Sequence, residues 1–131
     1  MPNITVAFSA YSSEDTDYDK GTTVLFNQIV TNIGGYYDNN LGVFMCPISG
    51  IYQFSSSLFT SGGYKIDANV VKENVKLLAI FSNNDDNTQA STTVFTECMA
   101  FEKVWVQSSG DDYRVAGGRQ SSFSGALMAV I

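Results

Sequence analysis

Histidine is absent from the 131 residues, which removes the commonest general base and every Ser-His-Asp arrangement. Zinc sites of the usual kind go with it, because the two cysteines, Cys46 and Cys98, show no CxxC spacing. The pair is either a disulfide or two buried thiols in small core positions, and the sequence leaves both open. Charge is also scarce: 15% of residues carry it, 7 basic against 13 acidic, for a formal net charge of −6. No run of Lys or Arg exists to track a phosphate backbone, so nucleic acid is not an expected partner. Apolar runs long enough to cross a bilayer are missing, and membrane insertion is not expected. The opening Met1-Pro2-Asn3-Ile4-Thr5 lacks the basic and apolar regions of a signal peptide. It holds a glycosylation sequon, and the composition suits the cell exterior; the expected location is extracellular, by way of a leader already removed.

Carboxylates are the one remaining route to catalysis. They lie in polar stretches at 14–19, 85–86 and 111–112, and only an accident of folding would set two of them across a cleft. No enzyme is expected, and no cofactor is required.

What the chain does have is apolar and aromatic: 44% hydrophobic residues, with 9 Phe and 7 Tyr set among Val, Thr, Ile, Ser and Gly, a mixture that suits pleated strands. The length fits one domain, residues 1–131. Ile4, Val6, Phe8 and Ala10 alternate with smaller or polar residues, the period of a half-buried strand. Residues 11–20 read as an acidic loop, and residues 22–31 as a β-branched strand that ends before a turn at Gly34-Gly35. Asp38-Asn39-Asn40 with Gly42 is a second turn, followed by a short strand at 43–46 that Pro47 halts.

Over 51–60, Tyr52, Phe54, Ser56 and Leu58 share one face. Residues 64–71 and 75–81 read as two strands folded over Lys72-Glu73-Asn74, in preference to a helix. Residues 82–87 form a polar loop, 92–98 and 104–106 are strands, and 108–112 is another loop. The nearly continuous apolar finish at 122–131 predicts a last strand buried on both faces. About ten short strands without a convincing helix describe an all-β sandwich, barrel or jelly roll.

Phe26, Asn32, Tyr37, Phe44, Gly50, Tyr52 and Phe54, at their particular spacing, resemble the signature of the C1q globular-head family. Val6-Ala7-Phe8-Ser9-Ala10, Gly42-Val43-Phe44-Met45-Cys46-Pro47 and Phe123-Ser124-Gly125-Ala126-Leu127 are similar to that family's opening strand, its Gly-x-Phe-x-Cys-Pro segment and its closing strand. The pattern departs at Ser56, where the family places an aromatic. Taken by themselves, the large signature residues are core, with glycines 34, 42 and 50 at turns or close approaches.

The resemblance implies a ten-stranded jelly roll like that of the tumour necrosis factor ligands, assembled as a homotrimer around an apolar axis. It implies a secreted pattern-recognition protein of innate immunity, a lectin for microbial glycan or lipopolysaccharide. A cytokine-like or matrix-forming trimer that engages protein receptors is the alternative. No Gly-X-Y repeat is present, so a collagen stalk is absent or lies outside this sequence. Some members hold calcium in the loop matching residues 83–89, which makes Asp85, Asp86 and Gln89 candidate calcium ligands. The same loop also reads as a solvated acidic segment that aids solubility. By loop position, Tyr64, Tyr113, Arg114 and Arg119 are candidates to contact a sugar or protein ligand.

Overall fold

The computed structural model describes residues 4–61, 64–83, 87–110 and 113–131, except for the side chain of Tyr113. Every regular element among them is a β-strand. In chain order these are β1 (Ala7–Tyr11), β2 (Thr16–Tyr18), β3 (Gln28–Ile33), β4 (Tyr37–Asp38), β5 (Val43–Met45) and β6 (Gly50–Thr60). They continue with β7 (Ile66–Lys72), β8 (Val75–Ser82), β9 (Thr88–Cys98), β10 (Lys103–Ser108), β11 (Tyr113–Val115) and β12 (Ser122–Val130). Ten of them build two five-stranded sheets, ordered β3-β1-β12-β6-β9 and β4-β5-β10-β7-β8, and β11-β2 is a separate ribbon. Two antiparallel sheets with these crossovers are the jelly roll that the sequence predicts.

The period-two pattern of β6 is carried through without a break: Tyr52, Phe54, Ser56, Leu58 and Thr60 are buried, and the residues between them are half-exposed. Phe8 is the hub of the core, stacked on Tyr37 and Phe44 at centroid distances of 4.9 and 4.7 Å and meeting Phe123 edge-on at 4.9 Å. Each such pair adds about 0.5–1.5 kcal/mol beyond its buried area. Ser56 pairs with Phe123 across the β6-β12 ladder and donates its hydroxyl to Ser122 O at 2.8 Å. The small residue leaves the inward space to the Phe123 ring, which is why the aromatic pattern stops at Phe54.

Asn32 acts as a piece of backbone: its amide donates to Tyr37 O at 2.8 Å and its carbonyl accepts the Tyr37 N–H at 3.1 Å. The Tyr37 hydroxyl in turn donates to Phe26 O at 2.8 Å. Three signature positions thereby fix one another. The glycine expectations resolve in two ways. Gly42 has a φ of 75°, in a turn whose Asp38 carboxylate accepts the N–H groups of Asn40 and Leu41. At Gly50 an added Cβ would lie 2.5 Å from Ala129 O.

Three readings are corrected and one is upheld. The acidic loop contains β2, where Tyr18 turns inward and its hydroxyl accepts the Leu25 N–H at 3.0 Å. The strand expected at 22–31 is two paths. Val24 donates to Val106 O alongside β10, and β3, which begins at Gln28, pairs with β1 in the other sheet. The two strands expected at 64–71 and 75–81 are upheld as β7 and β8, and Glu73 and Asn74, with φ of 46° and 67°, make the tight turn between them. β12 is not buried on both faces: beyond a bulge at Met128, its last residues are exposed.

Cys46 and Cys98 form a disulfide. It ties the end of β5 in one sheet to the end of β9 in the other, so it staples the sandwich at one pole, called here the disulfide end. The ends of β6, β8 and β10 gather at the opposite pole, the loop end.

Candidate recognition surfaces

Three of the four candidate ligand residues have described side chains at or near the loop end. β2 and β11 pair in antiparallel register with Arg114 opposite Asp17. The guanidinium donates to both Asp17 oxygens, at 2.8 and 3.4 Å. That hydrogen bond lowers the Asp17 pKa below its ordinary 3.8 and raises that of Arg114. The same guanidinium lies 5.3 Å from the centroid of Tyr64, so Tyr64, Arg114 and Asp17 form one partly exposed cation–π and ion-pair cluster. Arg119 is separate: with a φ of 73°, it sits 5.1 Å from the centroid of Tyr11. Tyr113 lies on β11, and its side chain is outside the described residues.

Asp17 and Tyr11 are the partners that sequence reasoning missed. The available signal was weak, a three-residue alternation at Thr16-Asp17-Tyr18 within an acidic stretch.

Of the candidate calcium ligands, Asp85 and Asp86 lie outside the described residues. Gln89 is on the outer face of β9, where its amide donates to Ser57 Oγ at 2.9 Å. Among the described residues no group of three or more His, Cys, Asp or Glu is placed to hold a metal ion, and no helix is long and apolar enough to cross a membrane.

The outer face of the β3-β1-β12-β6-β9 sheet is the other surface of interest. Large apolar side chains stand exposed toward its disulfide end, with Phe95 61% and Met128 54% accessible. Nearer the loop end the face turns polar, through Ser55 hydrogen-bonded to Thr93 at 3.0 Å and Ser57 to Ser91 at 2.9 Å. On the other sheet, Tyr36, Leu41, Val43 and Met45 line a mostly apolar depression of about 320 Å³ edged by Asp38 and Lys103.

A two-sheet jelly roll with this strand order defines a class shared by complement heads and tumour necrosis factor ligands. The globular domain of the zebrafish complement 1qA protein superposes with a TM-score of 0.83 at 18% identity, covering 96% of this chain and 99% of that one. Eiger TNF from S. frugiperda matches with 0.80 at 11% identity, over 100% and 96% of the two chains. Murine APRIL matches with 0.76 at 10%, over 95% and 100%.

The C1q domain family model matches residues 7–128, and the chain belongs to the C1q domain family. It is 26% identical to one of the subunits of the human complement C1q subcomponent over 127 residues, 94% of this chain and 50% of that protein. With human complement C1q and tumor necrosis factor-related protein 9B it shares 29% over 93 residues, 68% of this chain and 27% of that one. The chain therefore spans about half the length of the first relative and about a quarter of the second.

Proposed function

We propose that this protein is a non-enzymatic, extracellular recognition module. It works as a homotrimer that binds microbial surface glycan, lipopolysaccharide or another repeating ligand. The observation that carries the assembly is the uncovered apolar surface around Phe95 and Met128. It sits on one sheet face of a domain whose own core is already filled, and contiguous apolar area of this kind marks contact with another molecule. Family membership supports a second and third copy of the chain as that partner. Closed threefold symmetry would point three loop ends in one direction, and a weak site repeated on a repeating ligand gains avidity without any new contact.

The cluster of Tyr64, Arg114 and Asp17 supplies the chemistry of contact: an aromatic face for a sugar ring, a planar donor for carboxylate or phosphate, and a carboxylate for hydroxyls. A receptor-binding trimer is the second reading, favoured by the apolar depression around Leu41 and Met45, which suits a protein side chain better than a sugar.

Sedimentation of the purified protein tests the assembly, and a trimer at micromolar concentration is expected. A glycan and lipopolysaccharide panel, read with and without chelator, tests the ligand. Saturable binding that Arg114→Gln weakens about tenfold is expected; binding only to a protein receptor would select the second reading. Calcium is a separate proposal, held by Asp85, Asp86 and Gln89. Millimolar calcium is expected to raise the wild-type Tm, and an unchanged Tm would remove the metal.

A further inference from the structure

We infer that the outer face of the β3-β1-β12-β6-β9 sheet carries a second binding site, a neutral, hydroxyl-lined cavity that the trimer encloses and that takes a small polyhydroxy molecule of monosaccharide size. The inference rests on the trimer proposed above.

The register puts one hydroxyl residue on every strand of a single transverse row. Thr31 pairs with Ser9, Ser9 with Ser124, Ser124 with Ser55, and Ser55 with Thr93. A depression of about 420 Å³ lies along this row, lined also by Ala7, Ala126 and Gln53. Its volume is in the range that holds small ligands.

Two features separate this depression from an ordinary packing surface. Among the described residues, the side chains of Ser9, Thr31, Gln53 and Ser124 make no hydrogen bond within the chain, whereas Ser55 bonds to Thr93. Burial of this face between copies would leave four polar side chains needing partners from outside the chain, and buried polar groups are almost always partnered. The lining also holds no charged residue, which selects against anions and metal ions alike. Hydroxyls and a carboxamide both donate and accept, so their complement is a neutral molecule rich in hydroxyls. Strands about 4.8 Å apart set neighbouring hydroxyls within reach of a single pyranose ring.

Large side chains that would fill the space are missing along the row, because the floor is Ala7 and Ala126. Phe95, one row toward the disulfide end beside Gln53, supplies the dry contact that holds the copies together. One row toward the loop end stands Tyr11, under Arg119, an aromatic edge beside the cavity.

The test uses wild-type protein shown by sedimentation to be a trimer, titrated with D-glucose, D-galactose and glycerol up to about 20 mM in saturation-transfer NMR. Saturable transfer to at least one probe is expected. The triple variant Ser9→Ala, Ser55→Ala, Ser124→Ala should remain trimeric and bind that probe at least about tenfold more weakly. A wild-type trimer that shows no saturable transfer overturns the inference, since the cavity would then hold only water. Undiminished binding by the triple variant overturns it as well, by placing the sugar elsewhere. A wild-type monomer refutes the assembly itself, and sedimentation reports that before any sugar is added.

Discussion

Gly125 lies on the inward face of β12, opposite Phe54 in the ladder. A Cβ there would stand 2.6 Å from Phe54 Cδ1 and 2.7 Å from Phe8 Cε1, and both rings are wedged in the aromatic cluster. Gly125→Ala is therefore expected to destabilise the fold by about 1–3 kcal/mol, the usual range for overpacking. A urea denaturation midpoint equal to that of the wild type would show that the rings yield freely. In the sequence this glycine reads only as a break in an apolar run, because its reason is two rings from distant strands.

Asp17 and Arg114 show the same limit on the surface. Their residue types are legible, but a pairing across 97 positions is not. The Asp17 pKa is lowered in the folded state, so the ion pair contributes stability above the ordinary value of 3.8 and loses it as pH falls through the lower folded value. Arg114→Gln should move the Asp17 carboxyl midpoint upward toward 3.8 in an NMR titration. An unmoved midpoint would mean that the guanidinium does not hold the carboxylate in solution.

Strands announce themselves in proportion to how regularly they bury one face. β6 is legible from Tyr52 to Leu58 because every second residue enters the core. β2 and β11, three residues each, are too short to carry a period. Residues 22–31 look like one strand because both paths within them are β-branched; the change of sheet between Val24 and Gln28 is set by partners, β10 and then β1. The apolar end of β12 reads as buried because composition cannot tell a core face from an exposed one. Pairing the cysteines needed the sheets as well, since only the fold brings the ends of β5 and β9 together. The bridge closes a sequence separation of 52, so Cys46→Ala with Cys98→Ala should lower unfolding stability by about 2–4 kcal/mol. Reductant should destabilise the wild type and leave the double variant unchanged; equal responses would mean that the disulfide contributes nothing.

At the scale of the whole molecule, the family signature reports the fold through groups that lock one another, as Asn32, Tyr37 and Phe26 do. It is silent on assembly and ligand, because those depend on residues that face away from the core. Phe95 is the sharpest such position: it lies on the same strand as the buried Cys98, 61% exposed, and leaves a large ring in water that nothing within the chain requires. A single chain gains nothing from that exposure, whereas burying the ring between copies recovers about 25 cal/mol for each Å² removed from water. Phe95→Asp changes only an outward side chain, so the variant should keep the β-sheet circular dichroism of the wild type and its disulfide. In the proposed trimer, threefold symmetry would place three carboxylates in the contact at once, and each would have to lose its hydration there. The expected product is a folded monomer by sedimentation, with weakened avidity for any multivalent ligand. A variant that still sediments as a trimer would move the subunit contact away from this face.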